Sequence, residues 1–258
     1  MKLEEELLAV YREKPCRTLP NAFWKTAARV DGMVLDILYG SGGQLSTLAV
    51  WQDDACLAYW CEDPSGQAVA SSRLAQCDYA LVHASCLAVV PGETFSQRRP
   101  YFRLRHAGPV QQFDPPLGFF IRNAQPEAEI DEIAWFIQRC YADIKVNTEI
   151  VRQWLDHPAY DPGLWIWVID SSTGNAAGLG IAERDKNVPE ASLEWIQVLP
   201  ENHGRGLGTM LVAELLHFSA GKVDFTTVSG EWDHPDQPER LYRKCGFCGS
   251  DVWWFLAK

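Results

Sequence analysis

Residues 203–209 read His203-Gly204-Arg205-Gly206-Leu207-Gly208-Thr209, directly after the apolar run Leu193–Leu199 and Pro200. Closely spaced glycines let backbone approach a ligand, and a helix starting there offers unpaired N–H groups at a positive dipole end. That combination suits a phosphate or pyrophosphate. A nucleoside-triphosphate loop would need Gly-Lys-Ser/Thr, and this loop has no lysine. A dinucleotide fingerprint would need a third glycine where Thr209 stands. A second candidate, Cys245-Gly-Phe-Cys248, spells CxxC. No second cysteine pair has structural-zinc spacing, and Cys245 closes a helix rather than opening one, so buried thiols are expected and no metal.

Elements that would position the loop can be read from periodicity. Gly118–Asn123 forms a short strand, and Pro126 starts a helix bearing Ile130, Ile133, Ile137, Tyr141 and Ile144 on one face. Asn147 or Thr148 caps a second helix with Ile150, Val151, Trp154 and Leu155. Strands follow at Leu164–Asp170, Ala177–Glu183 and Leu193–Leu199, the first two joined by the turn Ser171–Asn175. A helix from about Gly206 to Ala220 carries Leu207, Leu211, Leu215 and Phe218. Strand Asp224–Ser229, a short helix at Pro238–Lys244 and strand Asp251–Leu256 complete the order. In the first part, helices are expected at Lys2–Arg12 and Gln67–Ala75. Strands are expected at Met33–Tyr39, Leu45–Trp51, Cys56–Cys61, Tyr79–His83 and Tyr101–His106. The Pro- and Gly-containing segment 107–117 marks a join. The fold class is thus α/β, an α+β mixed sheet. A smaller mixed α/β domain at 1–110, of no assigned role, precedes a second domain at 116–258. A degenerate copy of the second topology within the first is left open.

The chain has 258 residues, 47% hydrophobic, and a net charge of −11. Residues 116–258 hold 12 Lys and Arg against 21 Asp and Glu, so −9 lies there. With no basic block, nucleic acid and anionic membrane are not expected partners. No apolar run approaches the ~20 residues of a membrane span, and the acidic start lacks a secretion segment. A cytoplasmic protein with reduced thiols is expected, and the acidic second part suits a cationic acceptor.

His203-Gly204-Arg205-Gly206-Leu207-Gly208 resembles the Gln/Arg-x-x-Gly-x-Gly/Ala signature of the GNAT family, the Gcn5-related N-acetyltransferases. Tyr242, 34 residues after Gly208, lies in Leu241-Tyr242-Arg243-Lys244-Cys245-Gly246-Phe247, similar to the family's Leu-Tyr-x-x-x-Gly-Phe. The resemblance covers about residues 118–258, with matching element order. It implies a GNAT-like acyl-CoA N-acyltransferase domain using acetyl-CoA as co-substrate and no metal. Backbone N–H groups from Gly204 through Arg205, Gly206, Leu207 and Gly208 to Thr209 would hold the pyrophosphate, with His203 beside them. Backbone of Ile196, Gln197 and Val198 would pair with the pantetheine arm, and the Ile196 N–H would face the thioester carbonyl. Tyr242 would protonate the departing thiolate. Glu194, sharing strand parity with Ile196 and Val198, would act as base through one water, with Glu231, Asp233 and His234 as rivals. His203 replaces the family's Gln or Arg, and Pro235 stands where an Asn is frequent in the family.

The resulting expectation is an N-acetyltransferase in which a small-molecule or protein amine attacks the thioester directly. The alternative is an acetyl-CoA-binding sensor without turnover. Many members of the family pair, so a homodimer is among the partners the resemblance allows. Trp154, Trp165, Trp167, Trp195 and Trp232 are expected mostly in the core, with aromatic walls for an acceptor as the other reading.

Overall fold

The structure is a computed structural model that describes residues 2–27, 32–65, 68–141 and 144–258. By compactness the chain divides into two units. Unit one is Met1–Leu104, Ser229–Glu239 and Gly249–Lys258; unit two is Arg105–Val228 and Arg240–Cys248. The C-terminal segment therefore joins the unit formed by the N-terminal residues, and the division is not a single cut in the chain.

The N-terminal run comprises helices α1 (Lys2–Glu13), α2 (Pro15–Thr18) and α3 (Phe23–Ala27), and strands β1 (Met33–Tyr39), β2 (Leu45–Gln52) and β3 (Ala55–Cys61). Helix α4 (Ala68–Leu74), strand β4 (Tyr79–His83), a 3-10 turn (Ala84–Val89) and β5 (Gln97–His106) follow. The C-terminal run comprises β6 (Phe119–Asn123), α5 (Pro126–Cys140), α6 (Thr148–Leu155), β7 (Trp165–Asp170), β8 (Ala176–Arg184) and β9 (Glu190–Val198). It ends with α7 (Leu207–Ser219), β10 (Phe225–Glu231), α8 (Pro238–Lys244) and β11 (Cys248–Ala257). Helices, three antiparallel strands, a helix and a strand parallel to the third thus occur in the same order twice. The short α2, α3 and the 3-10 turn were not expected from the sequence. Pieces of four to six residues carry too few turns to show a period.

Within unit one the hydrogen-bonded order is β1-β2-β3-β4-β11-β5. Strand β3 is buried along its whole length, as an inner strand covered on both faces must be. Buried Arg103 donates to the Tyr11 hydroxyl at 2.8 Å and to Ser229 Oγ at 3.1 Å.

Within unit two the order is β10-β9-β8-β7-β6. Ile133, Phe136 and Ile137 of α5 and Val151 of α6 pack on Trp165, Trp167, Leu179 and Ile181. Asn147 caps α6, its side chain accepting from Ile150 N–H at 2.9 Å, as Asx residues do at helix starts. Strand β9 begins at Glu190, earlier than the apolar run suggests. Glu190 is fully buried, and its carboxylate accepts from the Thr227 hydroxyl at 2.5 Å. A hydropathy pattern does not reveal a buried carboxylate that is satisfied by its neighbour.

Candidate functional site

Strand β9 pairs antiparallel with β8 and parallel with β10, and an extra residue lies in the first ladder. Ile181 faces Trp195 while Ala182 faces Leu193, which leaves Glu194 as the bulged residue. The parallel ladder runs from Phe225–Glu190 to Val228–Leu193, and β9 continues for five residues beyond, through Glu194 to Val198. Bulges bend a strand and re-aim a side chain. The simple parity that would align Glu194 with Ile196 and Val198 does not pass through this one. Trp195 instead shares its face with Leu179, Ile181 and the α5–α6 core.

Past β9, a 3-10 turn (Pro200–Asn202) leads to the glycine loop. Gly204 has φ +74° and Gly206 φ +82°, conformations that favour glycine over any residue with a Cβ. Gly206 is the N-cap of α7, so the N–H groups of Leu207, Gly208 and Thr209 stand in the first turn, where a helix has no internal acceptors for them. Arg205 donates to Asn202 Oδ1 at 2.9 Å and lies over the Phe119 ring at 4.4 Å, a held cation beside the turn. His203 Nε2 is 2.9 Å from the Val198 carbonyl. A carbonyl only accepts, so Nε2 carries the hydrogen and spends it on backbone. Donation from His203 to a phosphate is then left to Nδ1, which donates only in the protonated ring.

Helix α8 carries the phenol. A Cβ added at Gly208 would come 3.1 Å from Leu241 Cδ2, so this glycine lets α7 seat on the residue next to Tyr242. Tyr242 packs on Phe247 with ring centroids 5.8 Å apart. Gly246, at φ +92°, ends the helix. The two sequence signatures are thus in contact through Gly208 and Leu241. Tyr242 is 8% exposed. Burial first, then Tyr141, Cys245 and Glu194, push its phenol well above the usual value, so it keeps its proton at neutral pH.

Tyr141 also belongs to a row of rings on the α5–α6 face. It meets Trp195 at 6.2 Å, Trp195 stacks on Trp154 at 5.3 Å, and Trp165 meets Trp154 at 6.4 Å and Tyr160 at 5.5 Å. Tyr141, Trp154, Tyr160 and Trp195 are half-buried; Trp165 is buried. The Trp165 indole N–H has no protein partner, nor has either end of the Gln197 amide, although Gln197 is 3% exposed. Each such buried group costs about 1–3 kcal/mol unless something satisfies it. Trp167 differs, since its indole donates to Glu129 at 2.8 Å.

A cleft of about 180 Å³ opens at the start of α7, lined by Pro116, Gly206, Thr209, Met210, Glu214 and Lys244 among others. Lys244 places a cation there, over the Phe113 ring. Sequence reasoning missed Lys244 as a site residue, although it sits two positions after Tyr242 in the quoted signature, and it read Pro115-Pro116 only as a join. A larger cleft of about 450 Å³ lies away from Tyr242 and Glu194 in lining, among Glu132, Trp135, Asp170 and Glu201.

Glu231, Asp233 and His234 belong to unit one. Glu231 and Asp233 add to burial in raising the Tyr101 phenol, while His234 accepts from Asp236 N–H at 3.2 Å. Trp232 is in unit one and 45% exposed. Cys245 is buried, which pushes its thiol up to about 11, while Cys248 is exposed. Among the described residues no helix is long and apolar enough to cross a membrane.

Residues 162–248 match the family described as Acetyltransferase (GNAT) domain. No curated protein sequence matches the chain. The fold is shared with a GCN5-related N-acetyltransferase from Sphaerobacter thermophilus at 14% identity and TM-score 0.69, over 97% of this chain and 90% of that one. A GNAT-family acetyltransferase from Colwellia psychrerythraea, 15% identical, gives 0.59 over 85% and 84%. A tandem GNAT protein from the clavulanic acid biosynthesis pathway, also 15% identical, gives 0.58 over 100% and 94%.

Proposed function

We propose that this chain, which carries a GNAT acetyltransferase domain over residues 162–248, moves an acetyl group from acetyl-CoA to an amine at a site built by β9, α7 and α8. The observation that carries this reading is the seating of Gly208 on Leu241. It ties an anion-binding helix start to a buried phenol whose electrostatic neighbours include Glu194.

The donor set fits the coenzyme's chemistry. The first-turn N–H groups of α7, Arg205 and Lys244 supply positive charge for phosphates. The stretch Glu194–Val198, beyond the ladder with β10, offers strand edge to the amide-bearing pantetheine arm. Ile196 N–H is the donor for the thioester oxygen as negative charge grows there.

In the transfer, the amine nitrogen forms a bond to the thioester carbonyl carbon and the carbon–sulfur bond breaks. Glu194 takes the proton that the amine sheds, directly or through water. Tyr242 gives a proton to the departing sulfur and recovers one afterwards, so proton count is conserved. At neutral pH the phenol carries its proton, as a donor to the departing sulfur must.

The test offers acetyl-CoA and a mixed amine panel to the whole chain and weighs the products. An amine gains about 42 Da by the exchange of hydrogen for acetyl, and the gain is lost in Tyr242→Phe. Tight acetyl-CoA binding with no product would instead favour a sensor.

A further inference from the structure

We infer that Cys61 and Cys86 form a thiol oxidation site, in which a small peroxide oxidises Cys86 and Cys61 then closes a disulfide on it. The inference concerns unit one alone and does not depend on the acetyl-transfer reading.

Cys61 is the last residue of β3, and Cys86 lies in the 3-10 turn after β4. The two sulfurs are 3.3 Å apart, in hydrogen-bond contact, and both residues are fully buried. A disulfide bond is about 2.05 Å long, so an approach of about 1.3 Å joins them.

The surroundings distinguish Cys86 from an inert core thiol. The Cys61 N–H donates to its sulfur at 3.0 Å, and Ser85 Oγ lies 3.5 Å away. With the Cys61 thiol these are three donors around one sulfur, an arrangement that favours the thiolate. The protonated form has an acceptor as well, the Cys61 carbonyl at 3.3 Å. Burial raises the thiols of Cys56, Cys77, Cys140 and Cys245. At Cys86 the bond from Cys61 outweighs burial, and Ser85, the Cys61 N–H and His83 add to it, so the thiol falls below its usual range. The same bond, with burial, raises Cys61, which therefore holds the proton the pair shares.

A path for the Cys86 proton is present. The Ser85 N–H donates to His83 Nδ1 at 3.3 Å, and Nδ1 lies 2.8 Å from Ser85 Oγ. A ring nitrogen that accepts carries no hydrogen, so Nε2 bears it and donates to Asp251 at 3.2 Å. The Cys86 proton passes through the Ser85 hydroxyl to Nδ1, and Asp251 steadies the imidazolium that results. Ser85 is exposed and Asp251 partly so, which brings this relay to solvent. The turn that carries Cys86 is a six-residue 3-10 segment, whose hydrogen bonds are poorer than a helix's and open locally.

In the first step the Cys86 sulfur attacks one peroxide oxygen. The S–O bond forms, the O–O bond breaks, and the leaving hydroxide takes the proton from His83 as water. The resulting sulfenic acid lacks the charge that held the proton on Cys61. The Cys61 sulfur then attacks Cys86; the S–S bond forms, the S–O bond breaks, and hydroxide leaves with the Cys61 proton as a second water. Two thiols are oxidised to one disulfide, and one peroxide is reduced to two waters.

The reduced full chain is treated with a few equivalents of hydrogen peroxide, free thiols are blocked with N-ethylmaleimide in urea, and the digest is mapped by mass without reduction. A linked Cys61–Cys86 peptide pair, about 2 Da lighter than its two thiol halves, should form before exposed Cys248 is oxidised, and dithiothreitol should reverse it. Ser85→Ala should slow its formation about tenfold, and Ser85→Thr should restore the rate. Cys61→Ser should leave a sulfenic acid on Cys86 that dimedone traps; should that variant fail to fold, the map of the native chain decides. Oxidation of Cys248 while Cys61 and Cys86 stay free thiols overturns the inference. So does a linked pair that forms only when peroxide is added in urea. An unchanged rate in Ser85→Ala overturns the relay.

Discussion

Strands β3 and β9 carry an extra residue at matching places, and what surrounds it differs. In unit one, Val50 faces Ala58 and Trp51 faces Cys56, so Leu57 is the bulged residue. In unit two that position is Glu194. The parallel ladder of unit one passes the bulge, from Cys56–Ala80 on to Tyr59–Val82. The ladder of unit two ends at Val228–Leu193, immediately before it. After β3 the chain reads Glu62-Asp63-Pro64-Ser65, two carboxylates where unit two has a glycine loop. Where α8 holds Tyr242, the 3-10 turn Ala84–Val89 has no tyrosine. One succession of elements thus supports a strand closed on both sides in unit one and a strand with free length, a glycine-capped helix start and a buried phenol in unit two.

The largest effect should separate the units by chemistry. Tyr242→Phe should cut kcat by about 100-fold or more while acetyl-CoA affinity stays within about twofold, measured by product mass and calorimetry. Undiminished turnover would remove the distinction drawn at α8. Leu57→Glu would place the unit-two residue type at the sealed bulge, where Leu57 is 5% exposed. A buried unpaired carboxylate should lower stability by about 3 kcal/mol in urea unfolding. A tolerated glutamate would mean that the unit-one bulge is not closed.

A smaller effect is expected at the loop. Gly206→Val puts a branched side chain at φ +82° in the turn proposed to hold the pyrophosphate, so acetyl-CoA affinity should fall about tenfold by calorimetry. Equal affinity would detach the loop from the coenzyme.

The smallest effect is shared by both units. Burial raises the phenols of Tyr242 and Tyr59, the latter also through Cys61. Above about pH 10 the unfolded chain loses these protons and the folded one keeps them, so stability should fall as pH rises past 10 by up to about 1.4 kcal/mol per pH unit per group. Thermal melts from pH 8 to 11 should show a shallower decline for Tyr242→Phe, with the Tyr59 part remaining.

Legibility followed the range of the forces involved. Helix α8 was readable to its ends, and β1 and β4 likewise, because local periodicity and punctuation set them. The spacing of Gly204, Gly206 and Gly208 was readable as a close approach, but two of these glycines serve a turn and one serves the contact with Leu241. The start of β9 was hidden by buried Glu190, whose partner Thr227 lies 37 residues away. The bulge at Glu194 was hidden as well, since register depends on the neighbouring strand rather than on the bulged one. Lys244 and Pro116 become neighbours of the loop only when α8 and the segment before β6 fold over α7.

By itself the sequence determined the order of elements, the glycine turn at the start of α7 and the two signatures with Tyr242 34 residues after Gly208. These depend on backbone preference and side-chain period, which act over a few residues. Tertiary structure alone decided that the signatures touch, that the parallel ladder stops at Leu193 and that Tyr141 meets Trp195. It also placed residues Gly249–Lys258 in unit one. Those outcomes depend on which strand pairs with which and on burial between residues far apart in the chain, and no local pattern encodes either.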